Sequence, residues 1–264
     1  MFRPRMRARL LVLALLPLLA CASSRTSITG EVKYGASAEE DYQYGVKELE
    51  SSNWVEAQKF LEHVRAKYPF SKYAALAELR LADAKFKQDK FLEAAEAYQA
   101  FSTLHPTHDE ADYADFRAAL SHFKDAPSDF LLFPAASEKD QRQLKTAVEK
   151  LRAFRLARPD SKHQAEAGAL LAEAQGRLAA HEWYVADYYF KRRHWAGAAG
   201  RLETLLKEYP GSKHEAEALL KLARAHLAQQ EGFRAQQALQ RFLARFPDDA
   251  RRPEAEALLA GLRK

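Results

Sequence analysis

The sequence predicts an all-α fold, and three observations support this. Alanine, the strongest helix former, supplies 50 of the 264 residues. Valine and isoleucine together supply only 8, whereas the pleated faces of a sheet protein favour β-branched side chains. The third observation is a helical pattern of apolar residues that recurs along the chain and ends each time near a proline.

The recurring pattern has a register that can be counted from five prolines. These are Pro69, Pro106, Pro159, Pro210 and Pro247, separated by 37, 53, 51 and 37 residues. The residue 12 positions before each proline is alanine: Ala57, Ala94, Ala147, Ala198 and Ala235. Bulky apolar residues stand eight positions before each proline, at Leu61, Tyr98, Leu151, Leu202 and Leu239. A base period near 37 residues with two insertions is therefore indicated.

These offsets resemble the tetratricopeptide (TPR) consensus, in which alanine marks the contact between helices A and B of each repeat. Alanine lets two helix backbones approach closely, and proline cannot continue a helix. We therefore expect an all-α tetratricopeptide-repeat solenoid of five helix pairs over residues 39–264. The segment from Pro253 to Leu262 suits a C-terminal capping helix, with proline in its first turn.

The two insertions predict different local structures. The 14 extra residues before Pro210 lie in a helical pattern from about His163 to Arg192. Because 14 residues are close to four helical turns, we expect helix A of the fourth repeat to be prolonged. The 16 extra residues before Pro159 give an insertion at residues 125–140, predicted to be a loop. Its Phe130 and Phe133 either pack on the solenoid or contact a partner.

The N-terminus predicts export and lipidation. Residues 1–20 combine four arginines with an apolar run of 11 residues, too short for a membrane span and typical of a signal peptide. The sequence Leu18-Leu19-Ala20-Cys21 resembles a bacterial lipobox, and Cys21 is the sole cysteine, so we expect it to be lipidated. The alternative is an ordinary secreted protein. Residues 21–38 then form the lipidated N-terminus and a flexible tether. Ala22 after the cysteine resembles an outer-membrane sorting signal.

Charge and motifs argue against several function classes. Beyond residue 20 the chain carries 37 basic and 36 acidic side chains, so no nucleic-acid partner is expected. His181-Glu182 begins like a zinc-binding H-E-x-x-H motif, but Val185 occupies the second ligand position. No phosphate-binding loop or nucleophile motif occurs either. We predict no catalytic residue, no metal site and no cofactor, and hence a protein that is not an enzyme.

Local motifs resemble the BamD family, the TPR lipoproteins of the β-barrel assembly machinery in Gram-negative outer membranes. The resemblance covers about residues 41–213 and rests on Tyr68-Pro69-Phe70-Ser71-Lys72-Tyr73, Asp112-Tyr113 and Tyr184-Val185-Ala186-Asp187-Tyr188-Tyr189. It implies a lipid-anchored protein at the periplasmic face of the outer membrane. It also implies N-terminal repeats that bind unfolded outer membrane proteins, and C-terminal repeats that dock on the last periplasmic (POTRA) domain of a BamA-like insertase. Other Bam subunits are further candidate partners.

Four residues are the expected partner-binding positions. By the resemblance, Arg192 falls on an arginine associated with insertase docking, although a merely solvated arginine is an equal alternative. Tyr44, Phe70 and Tyr73 are expected to line a groove for an extended, aromatic-ended client peptide. Alternatively, these three aromatic residues only seal the interface between repeats. A generic TPR scaffold lipoprotein for cell-wall or pilus assembly is the alternative function.

Overall fold

A computed structural model describes residues 33–128 and 135–262, and the chain from Tyr34 onward forms one compact unit. The signal peptide and Cys21 lie outside the described residues. The described residues form helices and no strand. The A helices are α1 (Ala38–Glu50), α3 (Lys72–Lys87), α5 (Ala111–Asp125), α7 (Gln164–Lys191) and α9 (Glu215–Ala228). The B helices are α2 (Trp54–Lys67), α4 (Phe91–Leu104), α6 (Arg142–Ala157), α8 (Trp195–Glu208) and α10 (Gly232–Arg245), and α11 (Arg252–Gly261) follows them.

Consecutive helices pack against one another along the chain, so the prediction of five helix pairs and a capping helix is confirmed. The predicted register forms the core. All five alanines 12 positions before a proline are completely buried, and so are the bulky residues eight positions before it. The A helices contribute small residues to the same contacts. At Gly45 an added Cβ would lie 2.7 Å from Cγ of Leu61, so only glycine fits there without a shift of Leu61.

The C-cap residue of each B helix directly precedes a proline of the register. These C-cap residues are Tyr68, His105, Arg158, Tyr209 and Phe246, with φ between −125° and −129° and ψ between 53° and 62°. The Cδ of a proline clashes with an α-helical residue before it, so the chain leaves the helix at this point. The N–H of each C-cap residue still donates to the carbonyl four residues earlier.

Four of the turns between helix A and helix B contain a residue in the left-handed backbone conformation, and none of these four residues is glycine. Ser52, Asp89, Arg193 and Gln230 have φ of 59° to 62°, and each lies 17 positions before a register proline. The next residue in each turn donates its N–H five residues back, as from Asn53 to Glu48 O (2.8 Å). This is the Schellman arrangement, which satisfies a terminal carbonyl of helix A.

The structure also describes the surroundings of both insertions. The prediction of a prolonged fourth helix A is confirmed, because α7 runs for 28 residues. After α5 ends at Asp125, a short 3-10 helix (Ala136–Glu138) precedes α6. Its Ser137 carbonyl accepts a hydrogen bond from His181 Nδ1 of α7 at 2.7 Å. Phe130 and Phe133 lie outside the described residues.

The alanine contact predicts the effect of enlarging one of its members. Ala198→Leu adds three carbons to a completely buried position of α8, and overpacking of this kind typically costs about 1–3 kcal/mol of unfolding free energy. Ala196→Leu makes the same change on the exposed side of the same helix and should leave stability within about 0.5 kcal/mol. Thermal and denaturant melts of both variants measure this. Equal melts for Ala198→Leu and wild type would contradict the register.

Candidate partner-binding surfaces

Aromatic and basic side chains of the first three A helices follow one another in a row. The ring of Tyr73 lies 5.4 Å from that of Tyr42, whose hydroxyl accepts a hydrogen bond from Arg80 Nε at 3.4 Å. The Arg80 guanidinium lies 6.0 Å from the Tyr113 ring, which lies 5.6 Å from the guanidinium of Arg117. We call these five residues the A-helix row. It connects α1, α3 and α5, so it crosses three repeats.

A buried carboxylate, Asp83 on α3, holds this row in place. Asp83 is only 5% exposed. It accepts hydrogen bonds from the hydroxyls of Tyr98 (2.6 Å) and Tyr113 (2.8 Å), and it forms an ion pair with Arg80. A buried charge is tolerated only when its hydrogen bonds are satisfied. The second and third repeats therefore share one acid, and both of its oxygens accept hydrogen bonds.

The protonation of this cluster favours the bonds observed. Burial, together with the Asp83 charge, raises the pKa of Tyr113 to about 12 and also raises the pKa of Tyr98. Burial opposes the charge on Arg80, but Asp83 outweighs it and raises the arginine pKa. Both phenols therefore remain donors and Arg80 remains a cation throughout the neutral range.

The structure separates the predicted client residues into two places. Tyr73 belongs to the A-helix row, and a hydrogen bond with Glu39 raises the pKa of its phenol. Phe70, in the turn after Pro69, is fully exposed. Tyr44 lies two residues after Tyr42 on α1, which places it on another side of that helix, and there its ring is 5.5 Å from that of Phe60 of α2.

The three aromatic residues differ in how much of each ring is packed against other repeats. Phe70 is 101% exposed, so it does not seal an interface between repeats. Tyr73 packs against Tyr42 and is half-buried, so it contributes to the contact of α1 with α3 as well as to the row. Tyr44 is 47% exposed and its ring packs on Phe60, a position compatible with either role.

A second exposed stripe lies at the end of the prolonged α7. Tyr184, Tyr188 and Arg192 follow one another at intervals of four residues, which places them on one side of the helix. Both tyrosines are exposed, and the Arg192 guanidinium lies 3.6 Å above the ring of Tyr188. We call these residues the α7 stripe. The stack holds Arg192 at the surface in a defined direction.

Ion pairs connect the side of α7 next to this stripe with α9. Asp187 forms ion pairs with Lys191 of its own helix and Lys221 of α9. Partial burial opposes ionisation, but the hydrogen bonds from the two lysines outweigh it and lower the pKa of Asp187. The Lys221 ammonium also lies 4.3 Å from the ring centre of Trp183. The stripe is thus carried by a helix that is packed on both neighbouring repeats.

Glu182 of the incomplete zinc motif has a structural partner, and so do the polar side chains of His105 and Asp112. Glu182 is 3% exposed and pairs with Arg201 at 3.2 Å, while His105 pairs with Glu78 at 2.9 Å. The Asp112 carboxylate accepts a hydrogen bond from the Ser161 hydroxyl at 2.7 Å. In the part of the chain that the structure describes, no group of three or more His, Cys, Asp or Glu residues could hold a metal ion. No helix in the same part is long and apolar enough to cross a membrane.

Sequence reasoning missed most of the A-helix row. One signal was present: four repeats have leucine eight positions before their proline, whereas the second has Tyr98. The extra hydroxyl in an otherwise apolar position required a buried partner, and Asp83 is that partner. The contributions of Tyr42, Arg80 and Arg117 depend on stacking between repeats, which no local pattern encodes.

Comparisons with known proteins agree on a family. Residues 35–232 match the YfiO family, described as outer membrane lipoprotein, and residues 217–249 match a tetratricopeptide repeat. The outer membrane protein assembly factor BamD of Neisseria gonorrhoeae is 33% identical over 79% of this chain and 80% of its own. That of Haemophilus influenzae is 27% identical over 81% and 82%, respectively.

Among solved structures, the TPR2AB-domain:pHSP90-complex of yeast Sti1 matches with a TM-score of 0.42 and 13% identity, covering 86% of this chain and 83% of that one. The family assignment itself comes from the sequence matches. They extend from the start of the solenoid into the fifth helix pair. The chain therefore belongs to the YfiO family of outer membrane lipoproteins, which contains the BamD assembly factors.

Proposed function

We propose that this protein is a non-catalytic, lipid-anchored adaptor of β-barrel assembly at the periplasmic face of the outer membrane. Its N-terminal repeats bind unfolded outer membrane proteins, and its C-terminal repeats dock on the POTRA domain of a BamA-like insertase. Family membership supports this role, because the relatives are named outer membrane protein assembly factors. Further Bam subunits are additional candidate partners.

The observation that carries the client-binding part is Phe70, fully exposed three residues before Tyr73 of the A-helix row. Full exposure of a phenylalanine costs hydrophobic free energy that burial against a partner recovers. Strands of membrane barrels alternate apolar and polar residues and carry aromatic residues at the membrane interface. A surface with an exposed ring beside phenols and arginines offers both kinds of contact.

The alternative, a generic scaffold lipoprotein for cell-wall or pilus assembly, differs in its partners. An affinity-tagged protein purified from solubilised outer membrane and analysed by mass spectrometry distinguishes the two functions. We expect a BamA-like insertase and unfolded barrel proteins to co-purify. Recovery of cell-wall or pilus components without an insertase would support the alternative.

Anchoring is tested at Cys21. Cys21→Ala removes the thiol that would receive the lipid, and the rest of the chain is nearly neutral and has no polybasic segment to hold it on the membrane. We expect the variant to remain unprocessed or to appear in the periplasmic fraction. Metabolic labelling with a fatty-acid analogue checks the wild type, and absence of label would refute lipidation.

Client binding is tested at Phe70. Phe70→Ala should weaken binding of a fluorescent C-terminal barrel peptide by about tenfold, because a binding anchor is typically worth 1–2 kcal/mol or more. Melting should be unchanged, since Phe70 has no buried area to lose. Phe233→Ala, on the exposed side of α10, is the matched control and should bind like wild type. Equal affinity of Phe70→Ala and wild type would exclude Phe70 from the client site.

Insertase docking is tested at Arg192. Arg192→Ala removes the cation at the end of the α7 stripe and should weaken binding to the isolated last POTRA domain by about tenfold. Arg65→Ala, an exposed arginine of α2 without an ion pair in the described part of the chain, controls for the loss of one charge. If both variants bound the POTRA domain equally well, Arg192 would be a solvated residue only.

A further inference from the structure

Arg117 differs from the neighbouring arginines because it has no acidic partner among the residues that the structure describes. Arg80 pairs with Asp83 and lies 3.5 Å from Glu110, and Arg158 pairs with Asp115 at 2.9 Å. Arg117 is half-buried, yet no carboxylate of the described residues lies within 4.0 Å of its nitrogens. Partly buried arginines normally pair with an acid, because an uncompensated charge is costly away from water.

The side chain of Arg117 is nevertheless held in one orientation. Its guanidinium carbon lies 3.7 Å from the ring centre of Phe86 and 5.5 Å from that of Tyr98. Its Nε donates to the Tyr98 hydroxyl at 3.2 Å. In the described part of the chain, neither terminal amino group of Arg117 has a hydrogen-bond acceptor. Neither of these nitrogens is fully buried, so the two form an oriented fork of donors that solvent can reach.

Asp83, the acid of the same network, is not bonded to this fork. Asp83 accepts bonds from Arg80, Tyr98 and Tyr113, so each of its oxygens already has a donor. The Tyr98 hydroxyl that Arg117 contacts donates its proton to Asp83 and so accepts from Nε. Arg117 is therefore part of the rigid network without being neutralised by a direct ion pair.

We propose that Arg117 is the carboxylate receptor of the client groove. This inference rests on the proposed function, since the A-helix row leads from Tyr73 beside Phe70 to Arg117. A planar fork that is already oriented binds a carboxylate through two parallel hydrogen bonds at a low cost in side-chain entropy. The ligand is an extended peptide with either a free C-terminal carboxylate or an acidic side chain. Both sources have the same chemistry.

Four fluorescent peptides of one barrel-strand sequence separate these sources. Two features of the peptide are varied independently. The C-terminus is either a free acid or an amide, and one position within the peptide is either glutamate or glutamine. The wild-type protein should bind the matching carboxylate about tenfold more tightly than its neutral counterpart. Loss of affinity on amidation identifies the chain end, and loss on exchange of glutamate identifies the side chain.

Arg117→Gln should abolish this preference while leaving a residual affinity for the neutral peptides. Arg152→Gln removes an arginine from the exposed side of α6 and should keep the preference. Melts of both variants check folding. If Arg117→Gln does not fold, Arg117→Lys, which keeps the charge but not the fork, replaces it and should lose most of the preference.

The outcomes distinguish this inference from the proposed function. If the wild type binds all four peptides equally, client binding stands and the carboxylate receptor is overturned. If the preference persists in the Arg117 variants, another residue is the receptor and the proposal fails. If the wild type binds none of the peptides, client binding by these repeats fails, and this inference fails with it.

Discussion

Close contact between two helix backbones is the constraint on which the rest of this structure depends. Each B helix has a completely buried alanine 12 positions before the proline that follows the helix. With a larger residue the helices of a pair would separate, and the apolar side chains one turn further along would no longer meet their neighbours. Since a repeat cannot bury its hydrophobic face alone, each pair depends on the next.

Stacking of the repeats brings together side chains that are far apart in the sequence. The phenols of Tyr98 and Tyr113 come from consecutive helices, α4 and α5, yet both donate to Asp83 of α3. Removal of one partner from such a buried network leaves a charge or donor unsatisfied, which typically costs several kcal/mol. The network therefore fixes the spacing of the first repeats, and it orients Arg80 and Arg117 for contact with solvent or a ligand.

The sequence was sufficient to predict the fold because its signals are local and repeated. Alanine, bulky residue and proline recur at fixed offsets, and the 14-residue insertion fits whole turns of α7. The left-handed turns were not predictable, since Ser52, Asp89, Arg193 and Gln230 share only their polarity and none of them is glycine. The A-helix row was also hidden, because its members lie up to 75 positions apart in the sequence and meet only through stacking. Of the expected client residues, Tyr73 lies in this row and Phe70 in the turn before α3, whereas Tyr44 faces Phe60.

The two candidate surfaces differ in a way that suits two kinds of partner. The A-helix row crosses three repeats, and its polar groups are held by a buried acid, an arrangement suited to an extended ligand that passes several helices. The α7 stripe lies on a single helix and stacks an arginine on an exposed tyrosine. Residues of these types, grouped on a rigid element, are typical anchors of an interface between folded domains. Under the proposed function, the client and the insertase would therefore contact separate repeats.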